Sequence, residues 1–298
     1  MNIVYAQEPL PATCAASIFL AGPTPRDASV PSWRPEALAL LRAKGFTGTV
    51  FVPEPEKRLF DESFAYEAQV EWETRALARA DVIVFWIPRR VVGMPALTTN
   101  DEWGFHKDSG RVVFGAPDDA EKVRYQRWWA DHLAVPHART LDQALDQALA
   151  QLGEVTPEDH RAGGECDVPL VVWRRPEFRR WLARQRSAGN ALVGAKLLWT
   201  FRAGASRSRL VFWALQVDVH VGAEGRHKGN EVLLGRADVS ATVLYRPAPR
   251  WRDTEVVLVR EFRSPGSAPD GFVHELPAGS SFHASTPLRT AVEEVAEE

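Results

Sequence analysis

Residues 81–88 read DVIVFWIP, with an uninterrupted apolar run between Asp81 and Pro88. A strand that is apolar along its whole length is typical of the middle of a parallel sheet, where helices cover both faces. We therefore expect residues 81–88 to form a central strand with parallel strands beside it. The fold class predicted from this run is α/β.

Strand-like and helix-like segments alternate on both sides of this run, which favours a parallel sheet covered by helices. Short apolar runs predict further strands at 17–21, 49–52 and 111–115. Amphipathic spacing and capping residues predict helices at 34–44, 64–80, 101–109 and 141–152. Residues 1–152 are therefore expected to form one domain.

The composition changes after residue 152. Residues 153–168 hold glycines, a proline and many charges, so we expect a linker there. Residues 169–298 form the second expected domain, which is rich in strands. Its predicted elements are a helix at 176–187, strands at 194–202, 208–222, 231–245 and 254–262, and a final helix at 287–298.

Overall composition restricts the class of function. The formal charge is −3 and the pI is about 6.3, so the chain as a whole has no electrostatic reason to bind a nucleic-acid polymer or an anionic membrane. Cys14 and Cys166 are far apart in sequence and lack metal-ligand spacing, which argues against a disulfide framework or a zinc site. The N-terminal segment resembles neither a signal peptide nor a membrane helix. We expect a cytoplasmic protein that acts on a small molecule.

Two carboxylates are candidates for chemistry at a glycosidic bond. Breaking an N-glycosidic bond requires stabilisation of an oxocarbenium-like sugar, and a carboxylate can provide it as a covalent nucleophile. Glu102 lies in TTNDEWG, residues 98–104, where a loop leaving the sheet becomes a helix. Glu73 follows Gln69 by four residues, so an amide and a carboxylate share one helix face and can orient a sugar hydroxyl or the nucleophile.

Spacing alone favours more ordinary interpretations of both acids. Glu73 would be an exposed acid that pairs with Arg75 or Arg79. Glu102 would be a first-turn acid that interacts favourably with the helix dipole. A choice between these interpretations needs information beyond the spacing.

Four blocks of the first half resemble the nucleoside 2-deoxyribosyltransferase family in order and spacing. They are IFLAGPTPR from residue 18, SWRPEALALLRAKGFTGTVFVPEP from residue 32, YEAQVEWETRALARADVIVFWIPR from residue 66 and LTTNDEWGFHKDSGRVVFGAPDDAEKVRYQRW from residue 97. The resemblance covers about residues 17–150. It implies a flavodoxin-like fold, transfer of 2-deoxyribose between bases or to water, no metal cofactor, and a homo-oligomer whose subunits complete one another's sites.

The resemblance also implies roles for particular residues. Glu102 falls on the nucleophile and Glu73 on its acidic partner. The first loop, residues 22–26, would contact the sugar or phosphate end of a nucleoside or nucleotide. The substrate-binding candidates are Gly22, Pro23, Thr24, Arg26, Gln69, Thr98 and Asp101.

Other positions leave base recognition open. Pro95 and Ala96 occupy the stretch where many relatives carry an aspartate that contacts the base. The tryptophans at 33, 72 and 103 are interpreted either as stacking partners for a base or as residues packed in the core. His106 follows Glu102 by four residues and is interpreted either as an aid to protonation of the leaving base or as a surface histidine.

The second half resembles the Nudix hydrolase family, especially its ADP-ribose pyrophosphatase-like branch. The blocks are VLLGRADVSATVLYR from residue 232, EVVLVREFRSP from residue 255, HELPAG from residue 274 and AVEEVAEE from residue 291. With the box placed at 279–298, the resemblance puts magnesium ligands at Glu294, Glu297 and Glu298. By itself, such a run of glutamates is usually a solvated helix face.

Two positions depart from the Nudix box. Ser285 replaces the first glutamate and Glu293 replaces the arginine that usually pairs with it. The box also stops before its final glycine, so the second domain is expected to be incomplete and residues 169–298 are not expected to hydrolyse a diphosphate. The alternatives to deoxyribosyl transfer are magnesium-dependent hydrolysis of a nucleoside diphosphate sugar such as ADP-ribose, and nucleotide sensing without catalysis.

Overall fold

A computed structural model describes residues 1–25, 30–56, 65–204, 207, 209–266, 268–280 and 286–297. Three of the candidate residues, Arg26, Ser285 and Glu298, lie outside this part of the chain. None of the helices that the structure describes combines the length and the apolar character needed to cross a bilayer. The described residues form two compact units, residues 1–235 and 236–298.

The first unit is built on a parallel sheet with flanking helices. Its first elements are β1 (Asn2–Tyr5), β2 (Thr13–Cys14), β3 (Ser17–Ala21), α1 (Arg34–Ala43), β4 (Thr49–Val52), α2 (Tyr66–Arg79), β5 (Val82–Trp86), α3 (Leu97–His106), β6 (Val112–Gly115), α4 (Arg124–His132), β7 (His137–Ala138) and α5 (Leu141–Leu152). The six-stranded sheet has the order β1-β4-β3-β5-β6-β7, and its pairs are parallel throughout. Without the edge strand β1, this is the 2-1-3-4-5 order of flavodoxin-like folds. The expectation of a parallel α/β sheet is confirmed.

Alternation along the strands divides the core between the two faces of the sheet. In β3, Ile18 and Leu20 pack on one face and Phe19 and Ala21 on the other. Apolar side chains of α1 and α5 cover the first face, and those of α2, α3 and α4 cover the second. All five residues of β5 are buried, as the apolar run at 81–88 predicts.

The region expected to be a linker is packed into the first unit. It contains β8 (Arg161–Ala162), which pairs with β2, and is followed by α6 (Leu170–Trp173) and α7 (Pro176–Ser187). Arg161 donates from two guanidinium nitrogens to the two carboxylate oxygens of Asp81, each at 2.8 Å, and both side chains are almost fully buried. Asp81 also accepts from the Ser17 hydroxyl and the Leu170 amide. Segment 153–168 is therefore tied to the start of β5.

An antiparallel sheet completes the first unit. It consists of β9 (Ala191–Ala203), β10 (Arg209–Val221) and β11 (Arg226–Arg236), in the order β11-β10-β9. Leu192, Trp213 and Leu215 belong to the same apolar cluster as one face of the parallel sheet. Because these strands share a core with the parallel sheet, the units divide after Gly235, whereas the sequence suggested a division at 153–168.

Among its described residues, the second unit contains short antiparallel pairs, a short 3-10 helix at Trp251–Asp253 and one α-helix. Its elements are β12 (Ser240–Ala241), β13 (Tyr245–Arg246), β14 (Glu255–Val256), β15 (Val259–Phe262), β16 (Phe272–Glu275), β17 (Ala278–Gly279) and α8 (Pro287–Glu297). The pairs are β12 with β17, β13 with β14 and β15 with β16. Among the residues of this unit that the structure describes, only Pro277 and Thr290 are buried. A Nudix-like domain is not confirmed, because these pairs do not enclose an apolar core.

Candidate functional site

A cleft of about 510 Å³ opens at the carboxyl ends of β3 and β5. Within the sheet, β4 lies beside β3 on one side and β5 lies beside it on the other, so the strand order reverses at β3. Ligands bind in flavodoxin-like folds at such a reversal of strand order. The lining residues include Gly22, Pro23, Thr24, Arg34, Gln69, Glu73, Thr98 and Glu102. Seven of these eight were site candidates from the sequence, and Arg34 was not.

Glu102 lies on the cleft side of α3 and is half-buried. The helix begins at Leu97, about four residues earlier than expected, so Glu102 is in its second turn and is not a first-turn acid. Burial, the negative charge of Glu73 and that of Asp101 raise the pKa of Glu102 to about 8, and Arg34 opposes them. A carboxyl group held in this way keeps its proton into the neutral range until a ligand or a nearby cation stabilises the anion.

Glu73 faces the same cleft from α2. The Gln69 amide nitrogen donates to Glu73 Oε1 at 2.7 Å, so the expected pairing of amide and carboxylate is present. Arg79 donates to Asp167 and does not pair with Glu73. Burial raises the pKa of Glu73, while the Gln69 bond and Arg34 lower it. The buried Gln69 Oε1 has no hydrogen-bond partner among the described residues, which leaves an acceptor for a ligand hydroxyl.

Arg34 fixes the shape of the first loop from beneath. Its buried guanidinium donates to the Leu20 carbonyl at 3.1 Å, the Gly22 carbonyl at 2.7 Å and Thr24 Oγ1 at 3.1 Å. The buried carboxylate of Glu54 is its counter-ion. Sequence analysis missed this pair, because an arginine before the proline of a first helical turn looks like a surface cation. The signal was Glu54 between two prolines directly after a strand.

The glycine at the end of β3 is required by close packing. A Cβ atom on Gly22 would lie 2.1 Å from the Trp86 carbonyl oxygen and 2.8 Å from Trp33 Cζ2. The loop can therefore pass this close to the end of β5 only without a side chain.

Residues around the start of α3 form the opposite wall of the cleft. Thr98 lines the cleft and is exposed, whereas Asp101 is exposed and is not part of the lining. Pro95 and Ala96 also line it, and Ala96 adopts a left-handed backbone conformation with φ of 58°. This conformation is uncommon for a residue with a side chain, and it occurs at the position directly before α3.

The aromatic candidates are part of the packing around the cleft. Trp33 is buried under the first loop and donates to the Pro23 carbonyl, and Trp72 is buried and donates to the Glu8 carbonyl. Trp103 is 1% exposed in the core. His106 is buried too, and burial together with Arg111 lowers its pKa to about 3, so the ring is neutral. None of these four side chains lines the cleft.

The metal candidates of the second unit are only partly described. Glu297 is exposed, and the Glu294 carboxylate lies against Gly279, where a Cβ atom would approach it to 2.0 Å. Within the described residues, no group of three or more His, Cys, Asp or Glu side chains is arranged to hold a metal ion.

Comparison with known proteins covers the region that forms the cleft. Residues 15–120, about a third of the chain, match the family model described as nucleoside 2-deoxyribosyltransferase like. The matched segment runs from β3 to β6 and contains Glu73, Glu102 and the first loop. No curated protein matches the chain. The Nudix resemblance gains no support from these comparisons. Residues 15–120 are thus similar to nucleoside 2-deoxyribosyltransferase-like domains.

Proposed function

We propose that the first unit cleaves the N-glycosidic bond of a 2′-deoxynucleoside or its monophosphate and transfers the sugar to another base or to water. The observation that carries this proposal is the placement of Glu102, Glu73 and Gln69 in one cleft within the matched segment. Two carboxyl groups in a partly enclosed site are the groups that retaining glycosidic chemistry uses.

Glu102 is the nucleophile in this proposal. Its ionised carboxylate attacks C1′, the C1′–N bond breaks, and the bonding electron pair goes to the base nitrogen. A base or a water molecule then attacks C1′ of the glycosyl ester and releases the Glu102 carboxylate. The free cleft holds Glu102 with a pKa of about 8, so the reactive anion becomes more abundant as the pH rises.

Gln69 is the positioning group, and Glu73 carries a proton. The 2.7 Å bond from Gln69 fixes the Glu73 carboxylate, and the unpartnered Gln69 oxygen can accept from a sugar hydroxyl. The departing base takes up one proton as the C1′–N bond breaks. Glu73 has a raised pKa and can hold that proton in the cleft, then recover it from the incoming base.

The test is a product assay with a matched pair of variants. The protein is incubated with 2′-deoxynucleosides, their monophosphates and a competing free base, and products are identified by mass spectrometry. Glu102→Gln should abolish turnover. Glu71→Gln should leave it unchanged, because Glu71 is exposed on α2 and is not part of the cleft.

The products distinguish the proposed reaction from its alternatives. New nucleosides would establish transfer, and free base with free sugar would establish hydrolysis through the same nucleophile. Retention of activity in Glu102→Gln would contradict the assignment. Thermal stabilisation by nucleosides without any product would contradict catalysis and favour a sensor.

A further inference from the structure

A second cavity, of about 390 Å³, lies on another side of α3 from the cleft. Asn100 and Trp103 line it from α3 and Lys107 lines it from the position directly after this helix, whereas Thr98 and Glu102 face the cleft. The spacing of the first three residues places them on one helix face. The remaining wall comes from the segment after β5 and from the start of α4.

The cavity is lined by cations without a compensating anion. Arg89, Lys107 and Lys122 contribute to its wall, and none of the lining residues in the described part of the chain is acidic. Arg89 is 5% exposed, and it donates to the Lys122 carbonyl at 2.8 Å and to Asn100 Oδ1, both neutral acceptors. Burial lowers the pKa of Arg89. A buried cation without a counter-ion is costly unless an anion joins it.

Two acids close in sequence to Lys122 are engaged elsewhere. Glu121 is exposed and accepts from the Val91 amide, and Asp119 is exposed and pairs with Arg90. The positive charge of the cavity is therefore not neutralised by these two carboxylates.

Three side chains that line this cavity each hold a buried polar atom without a hydrogen-bond partner among the described residues. The atoms are Arg89 Nε, Trp103 Nε1 and Gln126 Oε1, three of the eleven such atoms in the described residues, and each belongs to a side chain that is at most 5% exposed. Buried polar groups in folded proteins are usually satisfied. These three therefore leave hydrogen-bonding capacity around one cavity for a molecule from outside the chain.

The orientation of Gln126 follows from its neighbours. Arg89 can only donate, so the Asn100 atom that it contacts is the amide oxygen. The same oxygen accepts from Gln126 Nε2 at 2.7 Å. Gln126 therefore turns its own oxygen away from Asn100, and that oxygen requires a donor.

The ligand must accept hydrogen bonds from Arg89 and Trp103, carry negative charge for two lysines, and donate a hydrogen bond to Gln126. We propose that this cavity binds a small phosphomonoester that carries a hydroxyl group, such as a sugar phosphate or a nucleoside monophosphate. The phosphate oxygens meet the cations and the indole, and the hydroxyl meets the glutamine. A site of this volume is within the range of small-ligand pockets.

Binding is measured by calorimetry with the full chain and four probes: ribose 5-phosphate, a nucleoside 5′-monophosphate, inorganic phosphate and ribose. Ribose 5-phosphate should bind more tightly than inorganic phosphate, and ribose should not bind. The double variant Lys107→Gln, Lys122→Asn removes two cations from the wall and should raise the Kd at least about tenfold. Asparagine suits position 122, because Lys122 has a φ of 54°.

Matched variants separate this site from the cleft. Lys228→Gln removes a partly exposed cation from β11 and should leave the Kd unchanged. Glu102→Gln should also bind ribose 5-phosphate in a way that depends on Lys107 and Lys122, even when its turnover is lost. Failure of every probe to bind at up to about 10 mM would overturn the proposal. Unchanged affinity in the double variant would overturn it as well, and equal binding of inorganic phosphate would exclude recognition of the hydroxyl.

Discussion

Replacement of Glu102 by glutamine should stabilise the protein at alkaline pH. The folded protein raises the pKa of this carboxyl from its ordinary value near 4.5 to about 8. Between these two values the unfolded chain has lost its proton and the folded chain has kept it, so stability falls as the pH rises. Glutamine cannot ionise, so the variant should lack this contribution to the pH dependence.

The size of the effect follows from the shift. Each pKa unit corresponds to about 1.4 kcal/mol, so the whole shift has an upper limit of about 5 kcal/mol. Glu102 is only half-buried, and solvent screening reduces that figure to about 1–3 kcal/mol. We therefore compare the free energies of unfolding of the variant and the natural protein. The difference in favour of the variant should be about 1–3 kcal/mol larger at pH 9 than at pH 5.

Urea unfolding monitored by tryptophan emission at both pH values measures this gain. Every tryptophan except Trp251 lies within residues 1–235, so the signal reports mainly on the unit that holds the cleft. Glu71→Gln should follow the natural protein at both pH values. A Glu102→Gln variant with the same stability difference at pH 5 and pH 9 would refute the raised pKa.

Three further predictions follow from other contacts. Gly22→Ala should cost about 2–4 kcal/mol in urea unfolding, because its methyl group would overlap the Trp86 carbonyl oxygen; a loss below about 0.5 kcal/mol would contradict this close approach. Arg161→Met should cost about 3–5 kcal/mol, since Asp81 would keep a buried charge without its partner, and unchanged stability would contradict the buried pair. Glu73→Gln should move the acidic limb of the pH profile of kcat/KM to lower pH, because it removes a negative charge beside the nucleophile; a shift to higher pH would contradict that coupling.

The parallel sheet could be predicted from local patterns. The strands at 17–21 and 49–52 and the helices at 141–152 and 176–187 have the expected bounds, since apolar runs and helix caps are local signals. The edge strand β1 and the helix α4 were missed. β1 has only four residues and is recognisable mainly through its pairing with β4.

The errors of prediction arise from partners that are distant in sequence. Residues 153–168 look like a linker because they are charged and contain glycine, but Arg161 finds its partner eighty residues earlier at Asp81. Arg34 looked like a surface cation until the fold placed Glu54 beside it. Glu73 and Gln69 could be paired from spacing, because both lie on one helix face. That Glu102 shares their cleft depends on the order of the strands, which spacing does not contain.

The most direct test of the proposed reaction is detection of the glycosyl ester on Glu102. The protein is incubated with a 2′-deoxynucleoside without acceptor base, quenched in acid, digested and analysed by peptide mass spectrometry. The account predicts a deoxyribosyl adduct on the peptide that contains Glu102, present in Glu71→Gln and absent in Glu102→Gln. Turnover with the adduct on a different residue, or an adduct that persists in Glu102→Gln, would contradict it.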